Sequence, residues 1–538
     1  MWSTMQDYPL TISSIMRYGT QVFGESEVAT YTGDGMRRTA YADLGRRAAR
    51  LANALRRLGV DADQRVATFQ WNNTEHLEAY LAIPSMGAVL HTLNIRLAAD
   101  QLVYIANHAE DDIVIVDNSL VPLLASVLPQ MKTVRHVIVV GDADLTPLEP
   151  AGKPLHSYDD LLAAEADTYD WPEIDERQAA SMCYTSGTTG NPKGVVYSHR
   201  SAFLHSMSAC TGNAFALCAA DSVLPVVPMF HANAWGLPYA ALLAGASLVM
   251  PDRFLQAEPL VRIIEDERPT VSGAVPTIWN EVLRYAQERN SDLTSLRLVP
   301  CGGSAVPESL MRAFEELDVR IVQAWGMTET SPLASVAHPP PGASDPWRYR
   351  VTQGRILSGL ETRVSGDGDV VLPSDGSAVG EIEIRGAWIT ASYYKDEDPS
   401  KFHDGWLRTG DVGMISPDGY LVLTDRAKDV IKSGGEWISS VDLENHLMAH
   451  PDIIEAAVVG VPDPKWQERP LASVVLREGA SPSAGQLREF VAGRVPKWQL
   501  PERWTFIAAV PKTSVGKFSK KTLRQMYADS ELDVVQLD

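Results

Sequence analysis

The segment of residues 184–194 holds the side chains whose types and spacing most clearly suggest chemistry. It reads YTSGTTGNPKG and combines hydroxyl side chains, glycines and Lys193 in a short stretch. Glycines let backbone N–H groups approach an anion closely, and the hydroxyls and the lysine add donors and positive charge. A Walker A loop is excluded because Gly190 is followed by Asn191 and Pro192 rather than by a lysine. A polar hairpin turn is the alternative, but a turn requires neither the lysine nor so many hydroxyls. We therefore predict a phosphate-binding loop.

The elements around this loop are predicted to alternate between helices and short strands. Apolar residues recur every three or four positions over residues 41–58 and stop before Gly59, which predicts an amphipathic helix. Short apolar runs predict strands at residues 65–69, 113–116, 137–140, 179–184 and 195–198. This alternation indicates an α/β architecture with largely parallel sheets, in which the phosphate-binding loop joins two strands.

The pattern changes twice further along the chain. From Tyr349 onward, short alternating runs separated by glycine-containing turns predict a smaller β-rich subdomain at about residues 349–424. From about Asp429 helices such as residues 441–448 mix with strands such as 456–460 and 472–476, which is an α+β pattern. We expect a large N-terminal domain of residues 1–427 and a small C-terminal domain of residues 428–538.

Five motifs support a resemblance to a known family. TSGTTGNPKG resembles the phosphate loop of the adenylate-forming superfamily, which comprises acyl- and aryl-CoA synthetases, firefly-type luciferases and the adenylation domains of peptide synthetases. In that family's order, AWGMTET at residues 324–330 resembles its adenine and metal motif and WLRTGD at 406–411 its ribose motif. DRAKDVIKSGGE at 425–436 resembles the hinge and thiol-tunnel motif, and PKTSVGK at 511–517 the terminal lysine motif. The chain is therefore identified as similar to the acyl-CoA synthetases of this superfamily.

The resemblance implies a ligase that works in two half-reactions. A carboxylate attacks the α-phosphorus of ATP to give an acyl-adenylate and pyrophosphate, and the thiol of coenzyme A then attacks the adenylate and expels AMP. The implied cofactor is Mg²⁺, with ATP and coenzyme A as co-substrates. The implied catalytic residues are Lys517, His231, Thr185 and Glu329, and the implied metal ligands are Thr185 and Glu329.

The implied nucleotide site draws on most of the motifs. Asp411 would accept hydrogen bonds from the ribose hydroxyls, and Arg426 would approach the ribose or a phosphate. Trp325 stands where relatives often carry tyrosine, and it would stack on the adenine. The residues implied to bind ATP or AMP are Thr185, Ser186, Gly187, Thr188, Thr189, Gly190, Lys193, Gly302, Gly303, Ser304, Ala324, Trp325, Gly326, Met327, Thr328, Asp411, Arg426, Lys432 and Lys517.

The family brings one lysine into its first half-reaction and removes it for the second by rotating a mobile C-terminal domain. The hinge implied here is Lys428, and Lys517 would close over ATP in the first pose. In the second pose a hairpin would line the tunnel for the pantetheine arm, formed by Ser433, Gly434, Gly435, Glu436 and Trp437. A solvated basic face is the alternative role for the lysines around Lys517, and the two roles are compatible.

The implied acyl pocket includes His231, Trp235 and Gly302. VPMFHANAWGLP at residues 227–238 and IKSGGEWISSVDLEN at 431–445 resemble the medium- and long-chain fatty acyl-CoA synthetases and the ligases for 3-(methylthio)propanoate. The first segment has no basic residue to pair a second carboxylate, which argues against dicarboxylic acids. We expect a short- to long-chain fatty acid or 3-(methylthio)propanoate. Transfer to a separate carrier protein, and a nucleotide-binding module without catalysis, remain as alternatives.

Composition limits the partners. The 538 residues include 47 lysines and arginines against 68 acidic residues, a net charge of −21, so we expect neither nucleic acid nor an anionic membrane as partner. Four cysteines, Cys183, Cys210, Cys218 and Cys301, are too few and too scattered for a disulfide framework or a zinc site. Neither a signal peptide nor an apolar run of about 18 residues occurs. We expect a cytoplasmic protein with reduced, mostly buried thiols and, from the resemblance, a homodimer.

Overall fold

The computed structural model describes residues 1–185, 191–396, 398–434, 436–513 and 516–537. Within these ranges the strands form four sheets, here numbered I to IV. No helix in the same ranges is both long enough and apolar enough to cross a membrane. The predicted fold class is confirmed, because α/β sheets are followed by a separate α+β unit.

The helices begin and end where the apolar periodicity does. The helix predicted at residues 41–58 is observed as α2, and the left-handed Gly59 follows its C-terminus with φ of 87°. The helices are α1 (Ile12–Val22), α2 (Tyr41–Arg57), α3 (Thr74–Ser85), α4 (Ala99–Ala109), α5 (Val121–Val127), α6 (Tyr158–Ala163), α7 (His199–Ala209), α8 (Leu237–Ala244), α9 (Ala257–Glu267), α10 (Pro276–Arg289), α11 (Glu308–Glu315), α12 (Trp347–Arg350), α13 (Ser440–Met448), α14 (Ala484–Ala492) and α15 (Lys520–Ala528).

Sheet I carries the predicted phosphate-binding loop. Its order is β7-β6-β5-β3-β4-β8-β9, and its pairs are parallel except for β8 and β9. The strands are β3 (Arg65–Phe69), β4 (Val89–Thr92), β5 (Asp111–Asp117), β6 (His136–Val140), β7 (Leu155–Ser157), β8 (Ala179–Tyr184) and β9 (Gly194–Ser198). All five strands predicted in this region are confirmed, and the loop joins β8 to β9 at the edge of the sheet.

Sheet II lies beside sheet I and has the order β12-β10-β11-β1-β2. Its strands are β1 (Glu27–Tyr31), β2 (Met36–Ala40), β10 (Ser222–Pro225), β11 (Ser247–Met250) and β12 (Val271–Gly273). One hydrophobic cluster joins α1, α2 and α3 to strands of both sheets, for example Leu51 of α2, Ile113 of sheet I and Leu248 of sheet II. These shared contacts fix sheets I and II relative to each other.

Sheet III has the order β13-β14-β15-β16-β22-β21-β19-β17-β18, with β20 paired to β21. Its strands are β13 (Val299–Gly302), β14 (Ile321–Gly326), β15 (Leu333–Val336), β16 (Gly354–Ile356), β17 (Leu360–Ser365), β18 (Val371–Leu372), β19 (Gly380–Gly386), β20 (Phe402–His403), β21 (Trp406–Ile415) and β22 (Tyr420–Arg426). The β-rich stretch predicted at about residues 349–424 therefore extends a sheet that β13 to β15 begin.

Sheet IV forms after Ile431 and has the order β24-β23-β26-β27-β28, with β25 paired to β26. Its strands are β23 (Ile431–Ser433), β24 (Glu436–Ile438), β25 (Ile453–Asp463), β26 (Gln467–Leu476), β27 (Arg503–Phe506) and β28 (Val534–Gln536). Leu443 of α13, Leu487 of α14 and Trp504 of β27 share one buried cluster. This unit thus has its own core, as a separately moving body requires.

The four cysteines are free thiols. Cys183 and Cys301 are buried, Cys210 is half-buried and Cys218 is exposed. Burial raises the pKa of Cys210 to about 11 and raises that of Cys183 as well, so both thiols stay protonated at neutral pH.

Candidate active site

The two ends of the phosphate-binding loop bond to each other. The Thr185 N–H donates to the Lys193 carbonyl over 2.9 Å, and the Lys193 N–H donates to Thr185 Oγ1 over 3.1 Å. Ser186, Gly187, Thr188, Thr189 and Gly190 lie outside the described residues. The Lys193 ammonium pairs with Asp398 at 2.8 Å and with Asp396 at 3.1 Å. Burial alone would lower the pKa of Lys193, but the hydrogen bonds to these carboxylates outweigh it and raise that pKa.

Glu329 lies just beyond β14, in the turn Thr328–Thr330. The carboxylate is buried, and Tyr393 donates its hydroxyl to Glu329 Oε1 over 2.7 Å. Tyr197 donates to the Thr328 carbonyl over 2.7 Å, which fixes the backbone beside Glu329. Burial raises the pKa of Tyr393, so its hydroxyl remains a donor. The carboxylate is therefore held in one orientation, with oxygen chemistry suited to a hard cation.

Asp411, Trp325 and Arg426 form one hydrogen-bonded group. Trp325 donates its indole N–H to Asp411 Oδ2 over 2.8 Å, and Arg426 Nε lies 3.3 Å from Asp411 Oδ1. Asp411 and Arg426 face each other across the antiparallel pair β21 and β22. Asp411 is buried, whereas Arg426 is exposed. Trp325 thus orients the carboxylate assigned to the ribose, a role additional to the predicted stacking.

Gly302 ends β13, and Gly303 follows it directly. A Cβ on Gly302 would lie only 2.3 Å from the Ala324 carbonyl oxygen, so the adjacent strands require glycine there. Gly303 has φ of 84° and lies against the side chain of Lys517. Ser304 follows on an exposed turn. Of the remaining nucleotide residues, Ala324 and Gly326 lie in β14, and Met327 and Thr328 follow it.

Lys517 reaches this cleft from the C-terminal unit. A Cβ on Gly303 would lie 3.1 Å from Lys517 Cε and 3.7 Å from its Nζ. The loop is fastened by Thr277, at the start of α10, which donates its hydroxyl to the Gly516 carbonyl over 3.3 Å. Burial and repulsion from Arg426 lower the pKa of Lys517 to about 8, although Asp411 and Glu329 oppose this shift. The structure therefore brings Lys517 together with the ribose and metal motifs.

His231 lies within the acyl segment and is close enough to Lys517 for their charges to interact. Burial, with repulsion from Lys517 and Arg96, lowers the pKa of His231 to about 3, so the imidazole is neutral at physiological pH. Arg96 comes from the loop between β4 and α4. Arg96 therefore supplies a cation near His231 although residues 227–238 contain no basic residue to pair a second carboxylate. The segment itself could not indicate this, because Arg96 lies far away in the sequence.

The backbone after His231 forms a buried left-handed turn. Ala232 to Gly236 all have positive φ, although only Gly236 is a glycine. Each non-glycine residue in this conformation costs about 1–2 kcal/mol, so the surrounding contacts must stabilise the turn. Trp235 packs beside Gly273, where an added Cβ would lie 3.6 Å from the indole. Gly236 is required because a Cβ there would lie 2.5 Å from the His205 ring.

The predicted coenzyme A residues form the hairpin of β23 and β24, about 80 residues before Lys517 in the sequence. Arg469 donates to Ser433 Oγ over 3.1 Å, and the Gly434 N–H donates to the Trp466 carbonyl over 2.8 Å. Glu436 and Trp437 are exposed and Gly435 lies outside the described residues. Lys432, assigned to the nucleotide, is exposed on β23 of this hairpin rather than placed beside Asp411.

Lys428 lies between sheets III and IV. It lies two residues after β22 and is exposed as a whole residue, and its carbonyl accepts a bond from Arg524 of α15 over 3.3 Å. Partial desolvation of its ammonium and repulsion from Arg426 lower the pKa of Lys428.

Two family models match the chain on either side of this junction. Residues 20–394 match the AMP-binding enzyme family, and residues 442–517 match the AMP-binding enzyme C-terminal domain. The chain belongs to the AMP-binding enzyme family. This membership confirms the resemblance that the five motifs indicated, including the assignment as an enzyme.

Relatives in this family match over nearly their whole length. The 3-methylmercaptopropionyl-CoA ligase of Ruegeria pomeroyi is 43% identical, with 98% of this chain and 99% of that protein covered. The long-chain-fatty-acid–CoA ligase of Thermus thermophilus is 44% identical, with 98% and 97% covered. The crystal structure of the anthranilate CoA ligase AuaEII in complex with anthranoyl-AMP is similar, with a TM-score of 0.88, 25% identity, and 98% and 100% covered.

Several residues around the candidate site lie outside the sequence motifs. Tyr393 holds Glu329, and Asp396 and Asp398 hold Lys193, yet none of the three lies in a quoted motif. Their closeness in a short run of aromatic and acidic residues was the available signal. Arg96 carried no such signal, because it follows β4 of sheet I while His231 follows β10 of sheet II, and only the packing of the two sheets brings them together.

Proposed function

We propose that this chain is an ATP- and Mg²⁺-dependent carboxylate–CoA ligase. Its first half-reaction would form an acyl-adenylate and pyrophosphate, and its second an acyl-CoA thioester and AMP. The observation that carries this proposal is the meeting of Lys517 with Gly303 and with the charges of Asp411 and Glu329. A cation placed there from a separate unit suits a reaction in which negative charge moves between phosphate oxygens.

The residues around Lys517 would have different roles in adenylation. The Lys517 ammonium would stabilise the charge that develops on the α-phosphate and on the leaving pyrophosphate. Asp411, oriented by Trp325, would accept the ribose hydroxyls. A neutral His231 would lie beside the carboxylate of the acyl substrate. Lys517 would then be the group that supplies positive charge to the reacting atoms. Trp325 orients the Asp411 carboxylate and Tyr393 orients that of Glu329, which is the preorganisation that electrostatic catalysis requires.

Thr185 and Glu329 are the residues we propose for Mg²⁺. Both offer oxygen atoms, and Tyr393 fixes the orientation of the Glu329 carboxylate. Mg²⁺ bound to phosphates usually takes only one or two protein ligands, so this small donor set fits. When bound, the ion supplies charge neutralisation for the phosphates of ATP.

The acyl substrate we propose is a short- to long-chain fatty acid or 3-(methylthio)propanoate. Trp235, Leu237 and Trp388 share a buried cluster around the acyl turn, which favours an apolar tail. The named activities of the Ruegeria and Thermus relatives support these two classes of acid. An added methylene contributes only about 1 kcal/mol, so we expect broad selectivity along a chain-length series.

We also propose that Ser433, Gly434, Gly435, Glu436 and Trp437 line the path of the pantetheine arm after the C-terminal domain turns about Lys428. In this proposal the N-terminal domain comprises residues 1–427 and the mobile C-terminal domain residues 428–538. We further propose a cytoplasmic homodimer. The four free thiols support a reducing compartment, and a monomer mass in light scattering would contradict the dimer.

A pyrophosphate-release assay tests the proposed function. Butanoate, octanoate, hexadecanoate, 3-(methylthio)propanoate and malonate would each be supplied with Mg²⁺ and ATP, with and without coenzyme A. We expect pyrophosphate release with monocarboxylates and sustained AMP and thioester formation only when coenzyme A is present. Stimulation by no acid would favour a nucleotide-binding module. Adenylate formation without thioester would favour transfer to a separate carrier protein.

A further inference from the structure

The acyl turn contains one buried polar side chain that the adenylation chemistry does not use. Asn233 follows two residues after His231 and precedes Trp235 by two, and it is only 6% exposed. Its backbone is left-handed, with φ of 53° and ψ of 44°. Asparagine tolerates this conformation better than most residues, but tolerance alone does not explain a buried amide.

The Asn233 amide is bonded on both of its ends. Its Nδ2 donates to Ser181 Oγ over 3.0 Å. Its Oδ1 accepts from the Cys183 thiol over 3.2 Å and from the Tyr80 hydroxyl over 3.3 Å. The single hydroxyl proton of Tyr80 is shared between Asn233 Oδ1 and the Met229 carbonyl, just before the turn. An amide is required for this arrangement, because a carboxylate lacks the donor and would bury a charge.

The partners of Asn233 belong to the strand that leads into the phosphate-binding loop. Ser181 and Cys183 lie in β8, which ends at Tyr184, the residue before Thr185. The burial that raises the pKa of Cys183 keeps its thiol protonated, so it remains a donor. Asn233 thus joins the segment that presents His231 and Trp235 to the strand that presents the phosphate-binding residues.

We propose that Asn233 is a positioning residue that fixes the acyl turn relative to the end of β8, where Thr185 begins the phosphate-binding motif. Through this link the carboxylate bound near His231 and the α-phosphate of ATP are held at reacting distance. Asn233 itself does not touch the substrate. The inference rests on the proposed function, because a defined distance between acid and ATP matters only if the two react.

Two variants separate the bonds of the side chain from the backbone conformation. Asn233→Gly keeps an easy left-handed backbone and removes the amide, whereas Asn233→Ala removes the amide and disfavours the backbone. Asn290 offers a matched control, because it has the same φ of 53° and ψ of 44° at the exposed C-terminus of α10. Asn290→Ala therefore measures the cost of alanine in this conformation away from the site.

The readout is the kinetics of adenylation with octanoate and 3-(methylthio)propanoate, followed by pyrophosphate release. We expect both Asn233 variants to raise KM for the acid and lower kcat, with a combined loss of about 100-fold, because small displacements of reacting groups have effects of that order. KM for ATP should stay within about twofold, since Trp325 and Asp411 are untouched. Asn290→Ala should match the wild type in every kinetic constant.

The proposal is overturned if Asn233→Gly has wild-type kinetics for the acid, because the backbone conformation alone would then suffice. It is also overturned if KM for ATP and KM for the acid rise together with a fall in melting temperature, because the role would then be structural. Ser181→Ala supplies a second test: its effect should not add to that of Asn233→Gly, and full additivity would contradict the link. A wild-type protein that releases no pyrophosphate with any acid would refute the proposed function instead.

Discussion

Lys517 is the residue at which the two units of the molecule meet. Its ammonium lies against Gly303 of sheet III, within reach of the charges of Asp411, Glu329 and Arg426. Arg426 lowers the pKa of Lys517, whereas Asp411 and Glu329 raise it. Burial is the largest effect, and it makes the net shift downward. A lysine with such a pKa can change its charge within the working range of many enzymes.

This pKa predicts a pH dependence for adenylation. The pKa of Lys517 is lowered to about 8, so the charged form is complete below that pH and is lost as the pH rises through it. We expect kcat/KM for ATP to fall about tenfold per pH unit above this point, because that constant reports groups of the free enzyme. Measurement of pyrophosphate release from pH 6 to 10 tests this expectation.

Lys517→Arg serves as the control for the pH profile, because an arginine stays charged throughout this range. Its residual activity should be low but free of the alkaline limb. An unchanged alkaline limb in Lys517→Arg would assign the titration to another group. His231 should contribute no limb near pH 6, since its pKa is about 3.

Trp325 predicts a second effect at the residue scale. Trp325→Phe keeps an aromatic face for adenine but removes the N–H that donates to Asp411. A hydrogen bond to a charged group contributes about 1.5–3 kcal/mol, so KM for ATP should rise about 10- to 100-fold. Trp279→Phe is the matched control, because the buried Trp279 N–H has no partner among the described atoms. Equal effects of the two substitutions would show that Trp325 acts only through its bulk.

Residue types were predictable from the sequence, and most of their partners were not. The motif around Trp325 indicated an aromatic surface for the base, yet the bond to Asp411 depends on the pairing of distant strands. The same limit applies to Lys193, which the loop motif assigns to phosphate while the structure pairs it with Asp396 and Asp398. Motifs record which groups are present, and the fold decides what each one faces.

At the scale of elements, apolar runs located strands accurately. The strand predicted at residues 65–69 coincides with β3, and the helix predicted at 441–448 differs from α13 by one residue. The order of strands was not predictable, because β8 pairs with β4 from a much earlier part of the chain. Such pairings follow from the packing of helices between sheets rather than from local preference.

Gly302 provides a prediction for elements. It ends β13, and a Cβ there would meet the Ala324 carbonyl of the neighbouring β14 at 2.3 Å. Gly302→Ala should therefore separate the two strands, at a cost of about 1–3 kcal/mol in the free energy of unfolding, and weaken ATP binding. Thermal unfolding and ATP titration measure both effects.

Gly212→Ala is the control for this substitution, because no heavy atom lies within 4 Å of the added Cβ and the position does not require a positive φ. Its stability and its ATP affinity should equal those of the wild type. If Gly302→Ala behaved like this control, the close approach of β13 and β14 would not limit the site.

At the scale of the whole molecule, the structure shows sheet III and the C-terminal unit in one orientation, with the proposed hinge Lys428 between them. Asp425 of β22 accepts bonds from the Ser440 N–H, over 2.7 Å, and from the Ser440 hydroxyl. Lys520 of α15 donates to the same hydroxyl and pairs with Glu444 at 2.8 Å. These bonds connect sheet III to the C-terminal unit, so a rotation about Lys428 would break the link at Asp425.

Removal of this link should disfavour the orientation in which Lys517 reaches the cleft. Asp425→Ala is expected to lower the rate of adenylation about 10- to 100-fold, since bonds to a charged group contribute about 1.5–3 kcal/mol. Thioester formation from preformed acyl-adenylate should be unchanged or faster. Asp463→Ala is the control, because Asp463 pairs with Arg503 inside the C-terminal unit. Equal losses in both half-reactions would contradict a role in orientation.

Substitution of the proposed hinge residue should impair the second half-reaction rather than the first. Proline at residue 428 would fix φ and remove the N–H, which restricts rotation at that point. Lys428→Pro is expected to form acyl-adenylate at near the wild-type rate and to lose thioester formation. Separate assays of the two half-reactions measure this, and normal overall turnover would show that the hinge lies elsewhere. The family motif predicts the hinge, which stays a prediction, whereas the contacts that hold this orientation could be seen only in the fold.

The central claim is that Lys517 serves adenylation from the orientation seen here and leaves the cleft for the second half-reaction. The most direct test measures both half-reactions of Lys517→Ala. We expect pyrophosphate release to fall by at least about 100- to 1,000-fold, the effect of one charge-stabilising group, while thioester formation from preformed acyl-adenylate survives. Equal loss of both half-reactions would contradict the claim.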